Sequence, residues 1–265
     1  MKGLVIILFF ASSFAFSQEL KFEEKKPLDA DHFVGIDSYQ NLYFLKDQVL
    51  HKQGDQGNYV FNNYQLGSIT SVDIINPLKI LVFYRDVNTI LFLDNRLTEI
   101  ERINFNNFSE FINISAASNA GNNQLWVFNI DSQQLELFNY RTERKTLVSQ
   151  PFTGDIRSMV SNFNFCYILT QESLFTFNIY GSLISENNMA HYHRIVQQGE
   201  NVVAVQGDAL FYIPSSEGEG LENAVTPLNL NITEITIKDL QGTQDFLYIY
   251  DGNSVHTFSL TKPKQ

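Results

Sequence analysis

Ile80–Asp94 reads ILVFYRDVNTILFLD: an unbroken apolar run, a polar turn carrying Asp86 and Asn88, and a second apolar run from Ile90. Short apolar runs divided by turn residues read as paired strands. The same unit returns along the chain. Its opening runs are Leu42–Leu45 (LYFL), Ile80–Tyr84 (ILVFY), Leu125–Phe128 (LWVF), Cys166–Leu169 (CYIL), Val202–Val205 (VVAV) and Phe246–Tyr250 (FLYIY). Their partners begin at Val49, Ile90, Leu135, Leu174, Leu210 and Val255. Steps of about 40 residues mark a repeat architecture, which overrides a segment-by-segment reading.

That period suits a four-stranded propeller blade, and amphipathic helices, which helical repeats of similar length require, are missing from the sequence. The chain holds 23 Phe and 12 Tyr, and Asn, Asp and Gly punctuate its apolar runs. An inner strand precedes each pair and a more polar outer strand follows it. The inner strands are expected at Phe33–Asp37, Ile69–Ile74, Phe111–Ser115, Ile156–Val160, Arg194–Gln197 and Ile232–Lys238. The outer strand of the fourth repeat is expected near Asn188–Tyr192. The sixth repeat runs out of chain before its outer strand, and the alternating segment Leu20–Glu24 (LKFEE) can supply it, closing the ring and covering an edge. The expected fold is therefore an all-β, six-bladed propeller of four-stranded blades. The irregular stretch around 215–225 leaves five or seven blades open.

Residues 1–17 read as a signal peptide: Lys2, the apolar Leu4–Phe10, then small residues at Ala15 and Ser17. Cleavage after Ser17 leaves 18–265 as one domain, exported to the periplasm or beyond the cell. No later run is long enough to span a bilayer, and no cysteine near the cut offers a lipid anchor. Cys166 is the sole cysteine, so the fold rests on its core without an internal disulfide, and its apolar strand makes it a buried thiol. A net charge of −11 argues against nucleic acid and anionic membrane surfaces as partners. The expectation is a monomer by itself.

The passage Leu78–Ile100, with its strand, Asp-Asn turn, second strand and "LDNRL", resembles blades of the secreted NHL/YWTD-like propellers. The Phe/Asn-rich composition and the "FSQ" cut are similar to those of small envelope propellers of Bacteroidota. That family holds lactonases, lyases and pure binding modules, so the resemblance implies a fold and no particular activity. No YWTD copy and no Gly-His…Trp-Asp signature occurs.

Propeller sites form where inner strands converge, which directs attention to Asp37, Asp73, Ser115, Ser158, Gln197 and Glu234. Asp37 and Asp73 hold equivalent positions and could share a proton or a cation; the plainer role is to accept backbone N–H bonds at strand ends. His191 and His193 flank Tyr192 on one face of an extended segment, half of a metal site for which His32 is the one outside candidate, at a distance that ring closure would decide; a solvated edge is the simpler reading. Ser215–Gly220 (SSEGEG) reads as a hairpin tip without the ligand pattern of a calcium loop. Nucleophile elbow, dinucleotide, P-loop and zincin motifs are missing, so neither metal nor cofactor is expected. Sequons at Asn107, Asn113 and Asn231 would matter only in a eukaryotic secretory pathway.

These features lead to an exported, non-catalytic scaffold with a protein or glycan partner. Its anchors would be aromatic residues in turns and edges: Tyr39, Tyr64, Tyr140, Phe152, Tyr180 and Tyr192. The alternative is a channel-centred hydrolase or lyase of the metal-dependent lactonase type. Asp37 could supply its first acidic ligand, but Ser115, Ser158 and Gln197 are poor substitutes for the others.

Overall fold

The computed structural model describes residues 19–152, 155–214, 225–230 and 235–260. The signal-peptide segment, Ser215–Gly220, Asn231 and Glu234 lie outside the described residues. Strand β1 (Glu19–Pro27) precedes four separate four-stranded sheets. The first comprises β2 (His32–Ile36), β3 (Leu42–Lys46), β4 (Val49–Gly54) and β5 (Gly57–Phe61). The second comprises β6 (Ser71–Asp73), β7 (Ile80–Tyr84), β8 (Thr89–Leu93) and β9 (Glu99–Asn104). The third comprises β10 (Ile114–Gly121), β11 (Gln124–Asn129), β12 (Gln134–Asn139) and β13 (Arg144–Leu147). The fourth comprises β14 (Ser158–Ser161), β15 (Phe165–Leu169), β16 (Ser173–Asn178) and β17 (Leu183–Asn188). The remaining strands are β18 (Arg194–Gln198), β19 (Asn201–Gln206), β20 (Ala209–Ile213), β21 (Thr226–Leu230), β22 (Asp239–Gly242), β23 (Phe246–Tyr250) and β24 (Ser254–Leu260). With β1 they form one eight-stranded sheet in the order β18-β19-β20-β21-β1-β24-β23-β22.

Burial explains why each repeat reads as it does. Every residue of β7 and β8 is buried, because the middle strands of a sheet packed on both faces need apolar side chains in both directions. The outer strands β9 and β13 are largely exposed, and their sequences are correspondingly polar. Among the described residues six apolar clusters form the core, each drawing on two successive repeats. Tight turns hold the register: Asp47 and Gln48, with φ of 52° and 65°, form the two-residue link whose twist matches an antiparallel pair.

The N-terminal strand pairs antiparallel with β24 from Leu20↔Leu260 to Pro27↔Ser254, with a bulge between Phe22 and Glu24. It also touches β21 in parallel at Glu19↔Asn229 and Leu20↔Leu230. Leu20 is fully buried among Leu210, Leu228, Leu247 and Phe258. Leu20–Glu24 thus lies beside β24, as expected, within a strand four residues longer than its alternation announced.

Three expected strands move. The inner strand of the third repeat is β10, Ile114–Gly121, and not Phe111–Ser115; the small residues Ala116–Ala120 fit the crowded centre although they read as loop. The outer strand of the fourth repeat is β17, and not Asn188–Tyr192, because LISENN lies on the surface and carries no buried periodicity. The described inner strand of the last repeat is β22, Asp239–Gly242; of the expected Ile232–Lys238, residues 232–234 lie outside the described residues. Residues 235–238 are described and lie outside any strand. Crowding there is severe: a β-carbon on Gly242 would come within 2.3 Å of the Gln197 carbonyl oxygen.

Trp126 is wholly buried between the third and fourth sheets, packed with Cys166, Ile168 and Phe177, and its Nε1 donates to the Asn162 carbonyl at 3.2 Å. Trp126→Ala should cost about 3–5 kcal/mol. Native emission should be blue-shifted and resist quenching; red-shifted, readily quenched emission would place the ring in solvent. Deleting Leu20–Glu24 should lower the melting temperature by roughly 10 °C or more, since ~1 kcal/mol is worth ~2–4 °C in a chain of this size. An unchanged melting temperature would make the strand a dispensable tail.

Candidate functional site

The innermost strands β2, β6, β10, β14, β18 and β22 converge on a central cavity of about 480 Å³. Its wall is apolar at Val34, Ile36, Val72, Met159, Val196 and Leu240, with polar side chains between them. Asp37, Asp73, Ser115 and Gln197 line it; Ser158 does not, and Ser161 occupies the wall of that repeat instead.

Among the described residues neighbouring sheets other than the joined pair share no strand ladder, and polar side chains fasten inner strands to one another. Asp73 Oδ2 accepts from the Asn119 N–H at 2.7 Å, joining β6 to β10. Ser118 and Ser161 meet oxygen to oxygen at 2.6 Å, joining β10 to β14. Ser158 contacts the backbone of Ile195 at 3.4 Å, joining β14 to β18. Arg194 donates to the Lys238 carbonyl at 2.9 Å and lies 3.3 Å from Asp239 Oδ1, joining β18 to the start of β22. At the ring's closing point Asp239 Oδ2 accepts from the Phe33 N–H at 2.9 Å. Gln241 there both accepts from the Ile36 N–H (2.7 Å) and donates to the Ile36 carbonyl (3.0 Å), as a neighbouring strand would.

The two equivalent aspartates have separate roles. Asp37 is buried and accepts from the N–H groups of Tyr39 and Asn41, the Asn41 amide and the Tyr43 hydroxyl, all at 2.9–3.1 Å. Burial and that carboxylate raise the Tyr43 hydroxyl well above the usual tyrosine range. Asp73 accepts from Ile75 N–H through its other oxygen at 2.8 Å. Burial pushes its carboxyl above the ordinary range, and the two backbone donors pull it part of the way back. Each carboxylate thus serves the fold at its own strand end.

The histidines do not assemble. His191 lies in a turn and not in an extended segment, His193 is likewise exposed, and His32 faces Asp239 at 3.6 Å. Among the described residues no three His, Cys, Asp or Glu side chains gather in a way that could hold a metal ion. Cys166 is buried, and burial drives its thiol far above the ordinary range.

The surface aromatics divide. In a four-stranded meander the first and third turns fall at one end and the second at the other. Tyr39 (65% exposed) lies in a first turn and Tyr180 (88% exposed) in a third turn. The first turns adjoin one another: Phe163 lies against Gly121, and the Asn162 carbonyl accepts from Trp126. Leu78 and Phe163, also in first turns and exposed, join this end of the cavity; single hydrophobic residues inside Asn- and Pro-containing turns were the signal present in the sequence. Tyr64 is exposed at the opposite end. Tyr140 is tied down beside Phe92, its hydroxyl bonded to Asn123 and the Lys79 ammonium, with Lys79 over both rings. Phe152 packs on Phe128, Phe175 and Phe177, and Tyr192 stands edge-on to Phe211.

No family model and no curated protein matches the chain. Solved structures do. Virginiamycin B lyase of Staphylococcus aureus, crystallised with quinupristin, is 7% identical with a TM-score of 0.56, covering 90% of this chain and 99% of that one. The WD40 repeats of RRP9 are 11% identical with a TM-score of 0.56, covering 91% and 100%. The Pan2 WD40 domain of Neurospora crassa is 9% identical with a TM-score of 0.55, covering 84% and 74%. All three are propellers, and identities this low carry the fold alone. The strand order, the central cavity and these likenesses make the fold of this chain a β-propeller.

Proposed function

We propose that the chain is an exported, non-catalytic six-bladed β-propeller of the NHL/YWTD-like kind, similar to envelope propellers of Bacteroidota. It binds a protein or glycan partner in the cell envelope or outside the cell. The count of six is supported by the eight-stranded sheet, in which β1 joins two sets of strands that each otherwise follow the repeat. Export rests on the segment 1–17; N-terminal sequencing of the mature protein should begin at Gln18, and an intact Met1 would refute it.

The observation that carries the binding reading is the set Tyr39, Leu78, Phe163 and Tyr180, exposed on turns at the same end of their sheets. Large apolar side chains left exposed on turns gain less for the fold than buried ones and are the residue types that anchor interfaces. For a hydrolase or lyase the described channel offers less, since both Asp37 and Asp73 already accept backbone N–H bonds.

A photo-crosslinking amino acid at position 39 or 163 in the native cell should trap a discrete protein adduct, and one at position 64 should not. A glycan array is the second arm. Tyr39→Ser with Phe163→Ser should weaken capture at least about tenfold, as loss of interface anchors does. Equal trapping from position 64, or no adduct together with a silent array, would overturn the reading.

A further inference from the structure

A second recess of about 640 Å³ lies between the third and fourth sheets, away from the central channel. Its size is that of a site for a small molecule or a large side chain, roughly 300–1,000 Å³. Phe152, Phe175 and Phe177 form its floor, with Phe152 edge-on to both other rings at centroid distances of 5.0 and 6.2 Å. Phe152 and Phe175 are only half buried, so parts of both rings face the recess. Glu172 and Glu186 stand at its rim, both exposed, and neither carboxylate has an ion-pair or hydrogen-bond partner among the described residues.

The walls are held before any ligand arrives. Val148 and Ser149 donate to the Leu135 carbonyl, Phe152 donates to the Gln133 carbonyl, and the Ser149 hydroxyl accepts from Leu135. Across the recess the Thr170 hydroxyl accepts from the N–H groups of Glu172 and Ser173. Glu186 pairs across strands with Phe175, so the two side chains share the face that looks into the recess. Strand β17, which carries Glu186, pairs among the described residues only with β16, so no described strand covers its other side, where an added strand could pair.

An aromatic floor attracts a cation through the ring quadrupole, and two unpartnered carboxylates at the rim complete a site of matching charge. We propose that this recess takes the lysine or arginine side chain of a partner polypeptide lying extended along β17. The cation sits against Phe152 and Phe175 between Glu172 and Glu186, while the aliphatic stem covers the rings. This site is separate from the Tyr39–Phe163 end of the channel, so it stands whichever partner that end takes.

Titration of the ¹⁵N-labelled mature protein with the peptide acetyl-Ala-Val-Lys-Val-Ala-amide, its Arg counterpart and its norleucine counterpart is the test. The Lys and Arg peptides should produce saturable amide shifts confined to Thr170–Ser173 and Leu183–Glu186, and the norleucine peptide should not. Raising salt from low to ~0.5 M should weaken binding, because exposed charge pairs are screened. Glu172→Gln with Glu186→Gln should weaken it at least about tenfold with an unchanged melting temperature, and Phe175→Leu should weaken it while keeping an apolar floor. Saturation by the norleucine peptide at equal concentration, undiminished binding to the double variant, or no saturable shift by ~10 mM peptide would each overturn the proposal.

Discussion

A ring of sheets packed face to face has two chain ends, and the packing is complete only when those ends meet. Here β1 makes that junction. It lays seven register pairs against β24, reaches β21 at its first residues, and buries Leu20 in the cluster between the last two repeats. Without it, the final sheet would end on an unpaired edge and Phe258 would lose Leu20 and Phe22 as neighbours. The stability of every other sheet is coupled to this one, because each apolar cluster is shared by two successive repeats.

Packing alone does not fix the centre. The inner strands meet where the sheets are closest, yet among the described residues none of the five sheets exchanges ladder hydrogen bonds with a neighbouring sheet. Short polar side chains make those links instead. Asp73 reaches Asn119, Ser118 meets Ser161, Ser158 contacts Ile195, and Gln241 bonds Ile36. Buried polar groups must be satisfied, and the cost of placing them near the axis is offset by pairing them across repeats. This accounts for why Asp73 and Ser158, two of the polar candidates for the channel mouth, act as fasteners between repeats. Tyr39 and Tyr180 on turns, and Glu172 and Glu186 beside the recess, are exposed side chains outside those links.

The repeat was legible in the sequence because burial on both faces forces unbroken apolar runs, as in ILVFY and LWVF, and two such runs per repeat fix the period. The alternation in Leu20–Glu24 likewise exposed the joining strand. Elements at the centre and rim were harder to read. Ala116–Ala120 looked like loop since crowding there favours small side chains, and LISENN gave no pattern since β17 is exposed. The alternating segment Ile232–Lys238 was the more persuasive strand on paper, although Asp239–Gly242, separated from Phe246 by a short turn like those of other repeats, is the inner strand. Asp239 and Gln241 were consequently missed.

Sequence by itself determined the all-β class, the period of the repeat, the buried middle strands with Trp126 and Cys166 among them, and the candidates Asp37, Asp73, Ser115 and Gln197 at the channel. These follow from local periodicity and from the chemistry of individual residues, which need no knowledge of neighbours distant in the chain. Only the tertiary structure decided what the polar residues face. Whether Asp73 meets a second carboxylate or the Asn119 N–H depends on how two sheets are set around an axis, and sequence spacing carries no such angle. The same holds for Phe152, which comes from the link between the third and fourth sheets and shares a recess with Glu172, Phe175 and Glu186 of the fourth.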